Sequence, residues 1–305
     1  MSPRLGDLQG YRMQLGNGQE WHIQATEGVK SWLEKLADIM ELKRCEQNGL
    51  PRLILTCREP GEESCREPIS LLNSKTEVAL PPNGWKCQNL VWLQLWSHRG
   101  VPDIICEMGP QKGKAQDILR MRLSLQPIYQ RTQDSGGFPF HAALVERDGK
   151  GVLLAAPRNT GKSTCCRRLP APWHALCDEE SLIVRNVQQQ YLVHPFPTWS
   201  DYLTGSSERT WNTQHHFPLA AIFFLIQAEA DEVTPIGQGE AAASICQSAM
   251  QVCYRYWSDL DRKGSMTLKK GLFKNACDLA RVIPAFKLRV SLKGRFWEKI
   301  ESVLP

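Results

Sequence analysis

The segment from residue 151 to residue 164 has the residue types and spacing of a phosphate-binding loop. An apolar run, Gly-Val-Leu-Leu-Ala-Ala, leads through Pro-Arg-Asn-Thr into Gly161-Lys162-Ser163. Binding a triphosphate needs several backbone N–H groups that converge on one anion, and a loop between a strand and a helix N-terminus supplies them. The order strand, loop and helix start therefore predicts a nucleotide site, with ATP and Mg²⁺ as the expected ligands.

Each residue of this loop has an expected role. Lys162 should reach the β- and γ-phosphates, and the Ser163 hydroxyl should coordinate Mg²⁺. Ala156 stands where the usual pattern has its first glycine, and alanine costs about 1 kcal/mol there if the position needs a positive φ. The predicted nucleotide-binding residues are Ala156, Arg158, Asn159, Thr160, Gly161, Lys162, Ser163 and Thr164.

Side chains that could assist the chemistry flank the loop. His141 lies fifteen residues before the start of the loop, and a hairpin at Arg147-Asp-Gly149 would pair its strand with the strand of the loop. Asp178 and Glu179 follow a short apolar strand after the loop, where a magnesium ligand or a base is required. The predicted catalytic residues are Asp178, His141 and Lys162, and the predicted metal ligands are Ser163, Asp178 and Glu179.

Each of these assignments has an ordinary structural alternative. Gly-Lys-Ser also occurs in polar turns between a strand and a helix. A carboxylate after a strand is commonly a cap or a surface residue, and a histidine on a buried strand is commonly part of the core. Arg158 could equally be a solvated loop residue.

The elements that would position these residues suggest two parts. Residues 1–134 read as a smaller α+β module that could bind a peptide or partner on a sheet edge. Its expected elements are a hairpin of strands 11–15 and 20–25, a helix over 29–40 capped by Thr26 and stopped at Asn48-Gly49, strands at 53–57, 90–96 and 103–106, and a helix over 115–129.

After a boundary at Ser135-Gly-Gly137, residues 135–305 read as the nucleotide-binding domain. Short apolar strands are expected at 142–145, 152–155, 175–177, 182–184 and 220–225, and helices over 242–256, 272–281 and 292–304. Strands and helices in this combination predict the α/β fold class.

The charge and the apolar runs of the sequence argue against some classes of protein. The net charge is +5, but the basic residues are dispersed among 32 acidic ones, which argues against a dedicated nucleic-acid-binding protein. The N-terminal residues lack a signal-peptide pattern and the longest apolar run, 219–226, is too short to span a bilayer, so we expect a cytoplasmic protein.

The eleven cysteines are scattered without a Cys-x-x-Cys pair. Reduced, packed thiols are therefore expected, and no zinc site.

The residues around the loop resemble the HPr kinase/phosphorylase and phosphoenolpyruvate-carboxykinase superfamily. Phe140-His-Ala-Ala-Leu-Val145, the Gly-Lys-Ser loop and Ala175-Leu-Cys-Asp-Glu179 resemble its His-strand, phosphate loop and Asp-Asp motif, over residues 136–184. Within that group, three further segments are most similar to the kinase-related protein of SynChlorMet peptide-modification cassettes: Pro195-Phe-Pro-Thr-Trp-Ser-Asp-Tyr202, Phe217-Pro-Leu-Ala-Ala-Ile-Phe-Phe-Leu225 and Phe273-Lys-Asn-Ala-Cys277.

The resemblance implies an HPr kinase-like P-loop domain in which His141 lies beside the γ-phosphate and Asp178 acts as base or metal-linked carboxylate. Glu179 stands in place of the second aspartate. The acidic-Ile-Arg-Gly-Leu-Gly stretch of true HPr kinases is absent after residue 185, which argues against HPr as acceptor and against phosphorolysis. Related kinases phosphorylate a serine of a precursor peptide.

We therefore expect ATP-dependent phosphoryl transfer to a serine-type hydroxyl, in peptide or natural-product modification. Two alternatives stay open: an ATPase, and a non-catalytic nucleotide-binding partner or sensor in a modification complex. The absence of Asn-Lys-x-Asp argues against a GTPase. The expected partners are a nucleoside triphosphate and a precursor peptide or small hydroxyl substrate, with no nucleic acid or membrane; an oligomer is possible.

Overall fold

The computed structural model describes residues 10–46, 49–58, 80–109, 113–204, 207–257 and 260–304. The chain divides into two compact units. The first unit comprises Met1–Gln14, Gln19–Pro127 and Tyr202–Thr210, and the second comprises Leu15–Gly18, Ile128–Asp201 and Trp211–Pro305.

A seven-stranded mixed sheet forms the basis of the first unit. Its strands are β1 (Gly10–Gln14), β2 (Glu20–Ala25), β3 (Lys43–Cys45), β4 (Arg52–Cys57), β5 (Trp85–Leu90), β6 (Leu93–His98) and β7 (Val101–Met108). They lie in the order β3-β1-β2-β4-β7-β6-β5. Strand β4 pairs in parallel with β2 and β7, and the other pairs are antiparallel. The predicted hairpin of β1 and β2 is confirmed.

The helix expected over 29–40 is confirmed to within one residue at each end. A 3-10 turn (Glu27–Val29) leads into α1 (Lys30–Ile39), which buries Trp32, Leu33 and Leu36. The Thr26 side chain makes no capping hydrogen bond, so its predicted role is wrong; its hydroxyl contacts Thr56 Oγ1 at 3.4 Å instead. The helix ends well before the predicted stop, of which Asn48 lies outside the described residues.

Two other predictions for the first 134 residues are corrected. The segment 90–96 is not one strand, because β5 and β6 form a hairpin in which Leu90 pairs with Leu93 and the two residues between them make the turn. The helix expected over 115–129 is two helices, α2 (Lys114–Ser124) and α3 (Gln126–Asp134). Pro127 explains the break, because proline donates no backbone hydrogen bond and restricts the residue before it.

The second unit contains a larger mixed sheet. Its strands are β8 (Phe138–Phe140), β9 (Ala142–Arg147), β10 (Lys150–Ala155), β11 (His174–Cys177), β12 (Ser181–Arg185), β13 (Tyr191–Pro195), β14 (Phe217–Gln227), β15 (Glu232–Pro235) and β16 (Ala285–Val290). They run β11-β9-β10-β14-β13-β12-β8, and β16 joins β14 to β15. Strand β14 pairs in parallel with β10 and β16, and the remaining pairs are antiparallel.

The remaining helices follow in chain order: α4 (Lys162–Arg168), α5 (Trp199–Thr204), α6 (Gln238–Cys253), α7 (Arg262–Val282) and α8 (Phe296–Glu301). Helix α7 begins ten residues before the predicted start at Leu272. Asp261 marks its beginning, because the carboxylate accepts a 2.6 Å hydrogen bond from the Gly264 N–H. Helix α8 covers only the middle of the predicted segment 292–304.

The core of the second unit lies around β9, β10 and β14. Val152, Leu153, Leu154, Ala143 and Phe223 are all fully buried. Because both faces of these strands are covered, the sequence of β10 is apolar at successive positions rather than alternating. Burying one such leucine contributes roughly 2 kcal/mol, so the strand that leads into the glycine-Lys-Ser loop is firmly anchored.

The molecule is thus mixed α/β, with two large mixed sheets and several helices. The predicted fold class is confirmed at this level. Within the described ranges, none of the helices combines the length and the apolar character needed to traverse a bilayer.

Candidate functional site

The hairpin of β9 and β10 brings His141 to the start of the loop. Asp148 and Gly149 form its turn with positive φ values of 52° and 76°. Ala142 pairs with Ala155, the last residue of β10, so His141 lies beside Ala156 at the same edge of the sheet. His141 is only 6% exposed, and its carbonyl oxygen accepts a 2.9 Å hydrogen bond from the Ser248 hydroxyl. The predicted proximity of His141 to the loop is therefore observed.

The loop turns at its second half. Positive φ values occur at Asn159 (62°) and Gly161 (106°), whereas Ala156 lies outside the left-handed region. The strain expected at Ala156 is therefore absent, and alanine is compatible with the backbone there. Asparagine is among the non-glycine residues that most readily adopt a positive φ. A Cβ on Gly161 would meet nothing within 4 Å, so its conformation, and not space, favours glycine.

Lys162 is the buried cation of the loop. Its side chain turns back over the loop, and the residue is 7% exposed. The Nζ atom lies 2.8 Å from the Ala156 carbonyl oxygen, 3.2 Å from the Pro157 carbonyl oxygen and 3.0 Å from His141 Nε2. When the ammonium group donates all three hydrogen bonds, His141 carries its proton on Nδ1. The loop thus holds a lysine against acceptors that are all uncharged.

Three consecutive acidic residues, Asp178, Glu179 and Glu180, form the turn after β11. Asp178 Oδ1 accepts a 2.7 Å hydrogen bond from the Thr198 hydroxyl. Glu179 Oε2 accepts a 2.9 Å hydrogen bond from the Ser200 N–H. Asp178 and Glu179 are therefore held in place by the segment that follows β13.

Comparison with family models identifies the chain. The model described as "SynChlorMet cassette protein ScmC" matches residues 104–305, well over half of the sequence. The chain belongs to the ScmC family. The match contains every predicted site residue from His141 to Glu179, and the family description names a cassette without naming an activity. No curated protein matches the chain.

Burial dominates the electrostatics of this ScmC-family site. Desolvation lowers the pKa of Lys162 to about 8, whereas the negative charges of Glu179 and Asp178 act in the opposite direction. Both carboxylates are thus close enough to interact with the ammonium group. Arg158 contributes a smaller lowering and is exposed on the loop, as are its neighbours Pro157 and Asn159.

The remaining predicted residues occupy the rest of the loop and the first turn of α4. Thr160, Gly161, Ser163 and Thr164 are partly exposed. Helix α4 is seven residues long, so its dipole is a weaker source of positive charge than the sequence pattern suggests. Lys162 is the principal cation of the site.

The predicted metal ligands supply oxygen atoms only. Within the described ranges, no three His, Cys, Asp or Glu side chains are arranged to hold a metal ion by themselves. Ser163, Asp178 and Glu179 offer one hydroxyl and two carboxylates, a donor set suited to Mg²⁺, which commonly completes its coordination with water and phosphate oxygens.

Sequence reasoning missed the residues that fix the acidic turn. Thr198 and Ser200 lie about twenty residues further along the chain, and only the pairing of β12 with β13 brings them back. Glu180 is fully buried and its carboxylate accepts a hydrogen bond from the Tyr129 hydroxyl. The sequence did contain a signal for Glu180, which is the third acidic residue in a row and lies just before an apolar strand. A carboxylate buried at that position requires a hydrogen-bond donor. No local signal identifies Tyr129, Thr198 or Ser200.

Proposed function

We propose that this protein binds ATP with Mg²⁺ at the Lys162 loop and transfers the γ-phosphoryl group to a hydroxyl group of a second substrate. Lys162 is the residue on which the proposal chiefly depends. Its ammonium group is buried and contacts uncharged acceptors, so its positive charge is available to an anion that enters the loop.

The surroundings of Lys162 support this proposal. His141 directly precedes β9, the strand that pairs with the strand of the loop, and two carboxylates interact electrostatically with the lysine. Phosphoryl transfer depends on positioning and on neutralisation of charge, and a lysine, a metal-binding carboxylate and a base are sufficient for it. We further propose, on the sequence resemblance, that the second unit is an HPr kinase-like P-loop domain and that the acceptor is a serine-type hydroxyl of a peptide.

In the proposed reaction the hydroxyl oxygen attacks the γ-phosphorus and the bond to the β,γ-bridging oxygen breaks. Asp178 accepts the hydroxyl proton at the oxygen that Thr198 does not bind, and ADP leaves. Lys162 moves from the loop carbonyls to the β- and γ-phosphate oxygens, and His141 stabilises the γ-phosphate. Ser163 and Glu179 would hold Mg²⁺, which neutralises charge on the phosphates when it is bound.

Nucleotide binding is tested by calorimetric titration of Mg-ATP into the wild-type protein, Lys162→Ala and Lys293→Ala. Lys293 is an exposed lysine of the same unit and serves as the matched control. Removing charged hydrogen bonds should weaken binding about tenfold or more in Lys162→Ala and leave Lys293→Ala unchanged. Equal affinity in the wild type and Lys162→Ala, or no binding by the wild type, would contradict the proposal.

Turnover separates the kinase from its alternatives. Asp178→Asn should keep nucleotide affinity and lose phosphoryl transfer to a serine-containing acceptor. Thr198→Val, which removes the hydroxyl that orients Asp178, should lower kcat more than it raises KM. Release of ADP without any phosphorylated acceptor would indicate an ATPase. Binding without ADP formation would indicate a nucleotide sensor.

A further inference from the structure

Helix α7 presents three large apolar side chains to solvent, Met266, Phe273 and Val282, and the first two lie on one face. Its inner face is buried through Leu272, Asn275, Ala276, Leu279 and Ala280. On the other side, Met266 is 46% exposed and Phe273 is 50% exposed. Residues seven apart lie on the same face of a helix, roughly 10 Å from each other along its axis. The two side chains therefore form one short exposed apolar row.

Cations surround this row. Arg262, Lys269, Lys270 and Lys274 lie on the same face of α7, at the spacings that place them beside Met266 and Phe273. Together with these two residues they line a cavity of about 580 Å³ that opens along the helix. We call this set the basic stripe: Arg262, Met266, Lys269, Lys270, Phe273 and Lys274.

The charge of the basic stripe is largely uncompensated. Lys274 lies 3.6 Å from Asp278, but the same carboxylate also accepts a 2.7 Å bond from Arg281. Among the residues that the structure describes, Arg262, Lys269 and Lys270 form no ion pair. Cations on an exposed helix are often balanced by acidic residues three or four positions away, and here that balance is minimal.

We propose that the basic stripe is a docking site for an acidic peptide segment that carries apolar side chains. Carboxylates of the peptide would pair with the lysines and Arg262, and its apolar side chains would cover Met266 and Phe273. The apolar row of only two side chains favours a peptide over a lipid bilayer, because binding to a bilayer depends on a broad apolar helix face. This inference does not depend on nucleotide binding by the Lys162 loop.

Exposed charge pairs are individually weak, so affinity at this site would come from several of them acting together with apolar burial. Binding should therefore fall as salt is raised, because the Debye length shortens from about 10 Å at 0.1 M to about 3 Å at 1 M. Loss of either the charges or the phenyl ring should weaken the complex.

The probe is a short fluorescein-labelled peptide of glutamates with two leucines placed two helical turns apart, followed by anisotropy without nucleotide. Lys269→Glu/Lys270→Glu should bind it about tenfold more weakly than the wild type. The matched control, Lys293→Glu/Lys299→Glu, makes the same change of net charge at exposed sites of the same unit and should bind as the wild type does. Phe273→Ser should weaken binding, whereas Leu292→Ser, at a side chain that is 83% exposed, should not.

Three results would overturn the proposal. The first is absence of peptide binding by the full-length wild-type protein at low salt. The second is an equal loss in the control double variant, which would indicate attraction to net charge alone. The third is binding to vesicles of phosphatidylglycerol and phosphatidylcholine, abolished by Lys269→Glu/Lys270→Glu, with no binding of the peptide; this would make the stripe a membrane contact.

Discussion

Burial lowers the pKa of two basic side chains of the second unit, Lys162 and His194, to about 8 and about 3. His194 is fully buried on β13. Its Nδ1 atom lies 2.9 Å from the Thr213 carbonyl oxygen, and its Nε2 atom accepts a 3.1 Å hydrogen bond from the Gly16 N–H. Both ring nitrogens are thus used by the neutral ring, and a second ring proton would abolish the bond from Gly16.

His194 should make the stability of the protein depend on pH. Between pH 6.5 and about 3 the unfolded chain binds a proton at this residue and the folded chain does not, so the free energy of unfolding decreases as the pH falls. Desolvation is the main cause, and the nearby rings of His216 and His215 act in the same direction. The loss should approach about 1.4 kcal/mol per pH unit.

The measurement is urea unfolding of the wild type and His194→Gln from pH 7 to pH 4. The difference in unfolding free energy between the two proteins should change across this range and be nearly constant above pH 7. His174→Gln, at an exposed position, is the control and should follow the wild type. Parallel pH profiles for the wild type and His194→Gln would show that this ring does not carry the effect.

Some residues of the candidate site are brought together by their neighbours in sequence, and others only by contacts between separate segments of the chain. Lys162 and its loop are consecutive in the chain, and a two-residue turn places His141, so local pattern was sufficient to bring them together. Thr198 reaches Asp178 only through the pairing of β12 with β13, across twenty residues of the chain. Sequence could not place it, because a hydroxyl in a proline-rich, aromatic stretch has no distinctive local pattern.

At the scale of elements, Gly137 lets β8 lie against β12. A Cβ on Gly137 would clash with the Ile183 carbonyl oxygen and lie 3.0 Å from the Val184 Cα atom. Neither backbone atom can move without disturbing the sheet. The Gly137 carbonyl also accepts a 3.2 Å hydrogen bond from the Asn275 side chain, so this strand is tied to α7 as well.

Gly137→Ala should therefore destabilise the protein by about 1 to 3 kcal/mol or more, as overpacking commonly does. The control is Gly239→Ala in α6, where a Cβ meets nothing within 4 Å and alanine favours the helix by up to about 1 kcal/mol. Thermal unfolding of the two variants provides the comparison. Similar melting temperatures for both would mean that β8 shifts without cost.

Helices and strands with a strong apolar pattern could be predicted from the sequence. Those that are stabilised mainly by tertiary contacts could not. The apolar runs of β10 and β14 identify them as strands, and the hairpin of β9 and β10 follows from its turn residues. The first half of α7 lacks an apolar period, because its outer face is charged, and so the predicted helix began at Leu272. Strands β13 and β16 were missed, since each carries polar residues that only tertiary partners accommodate.

At the scale of the whole molecule, we expect the reactivity of the cysteines to fall as the burial of their thiols increases. Cys87 is exposed, whereas burial raises the pKa of Cys165 to about 11 and also raises that of Cys106, Cys177 and Cys253. Only the thiolate is nucleophilic. Among the cysteines that the structure describes, pulsed alkylation of the native protein should therefore modify Cys87 first and these four last.

Mass spectrometry of the digested protein measures the order, and in denaturant all eleven cysteines should react at similar rates. Early modification of Cys165 in the native protein would show that the core around the loop opens readily.

The sheet order itself could not be predicted from sequence, because β14 pairs with strands from both earlier and later parts of the chain, in parallel and antiparallel senses.

The contacts of Lys162 also bear on how this family can diverge. Two of its three acceptors are main-chain carbonyls at positions 156 and 157, which persist whatever side chains mutation places there. The third is a side chain, His141. A change of side chain at position 156 therefore leaves this contact in place, whereas exchange of His141 alters the lysine's surroundings directly. Among related chains, position 156 should vary more freely than position 141.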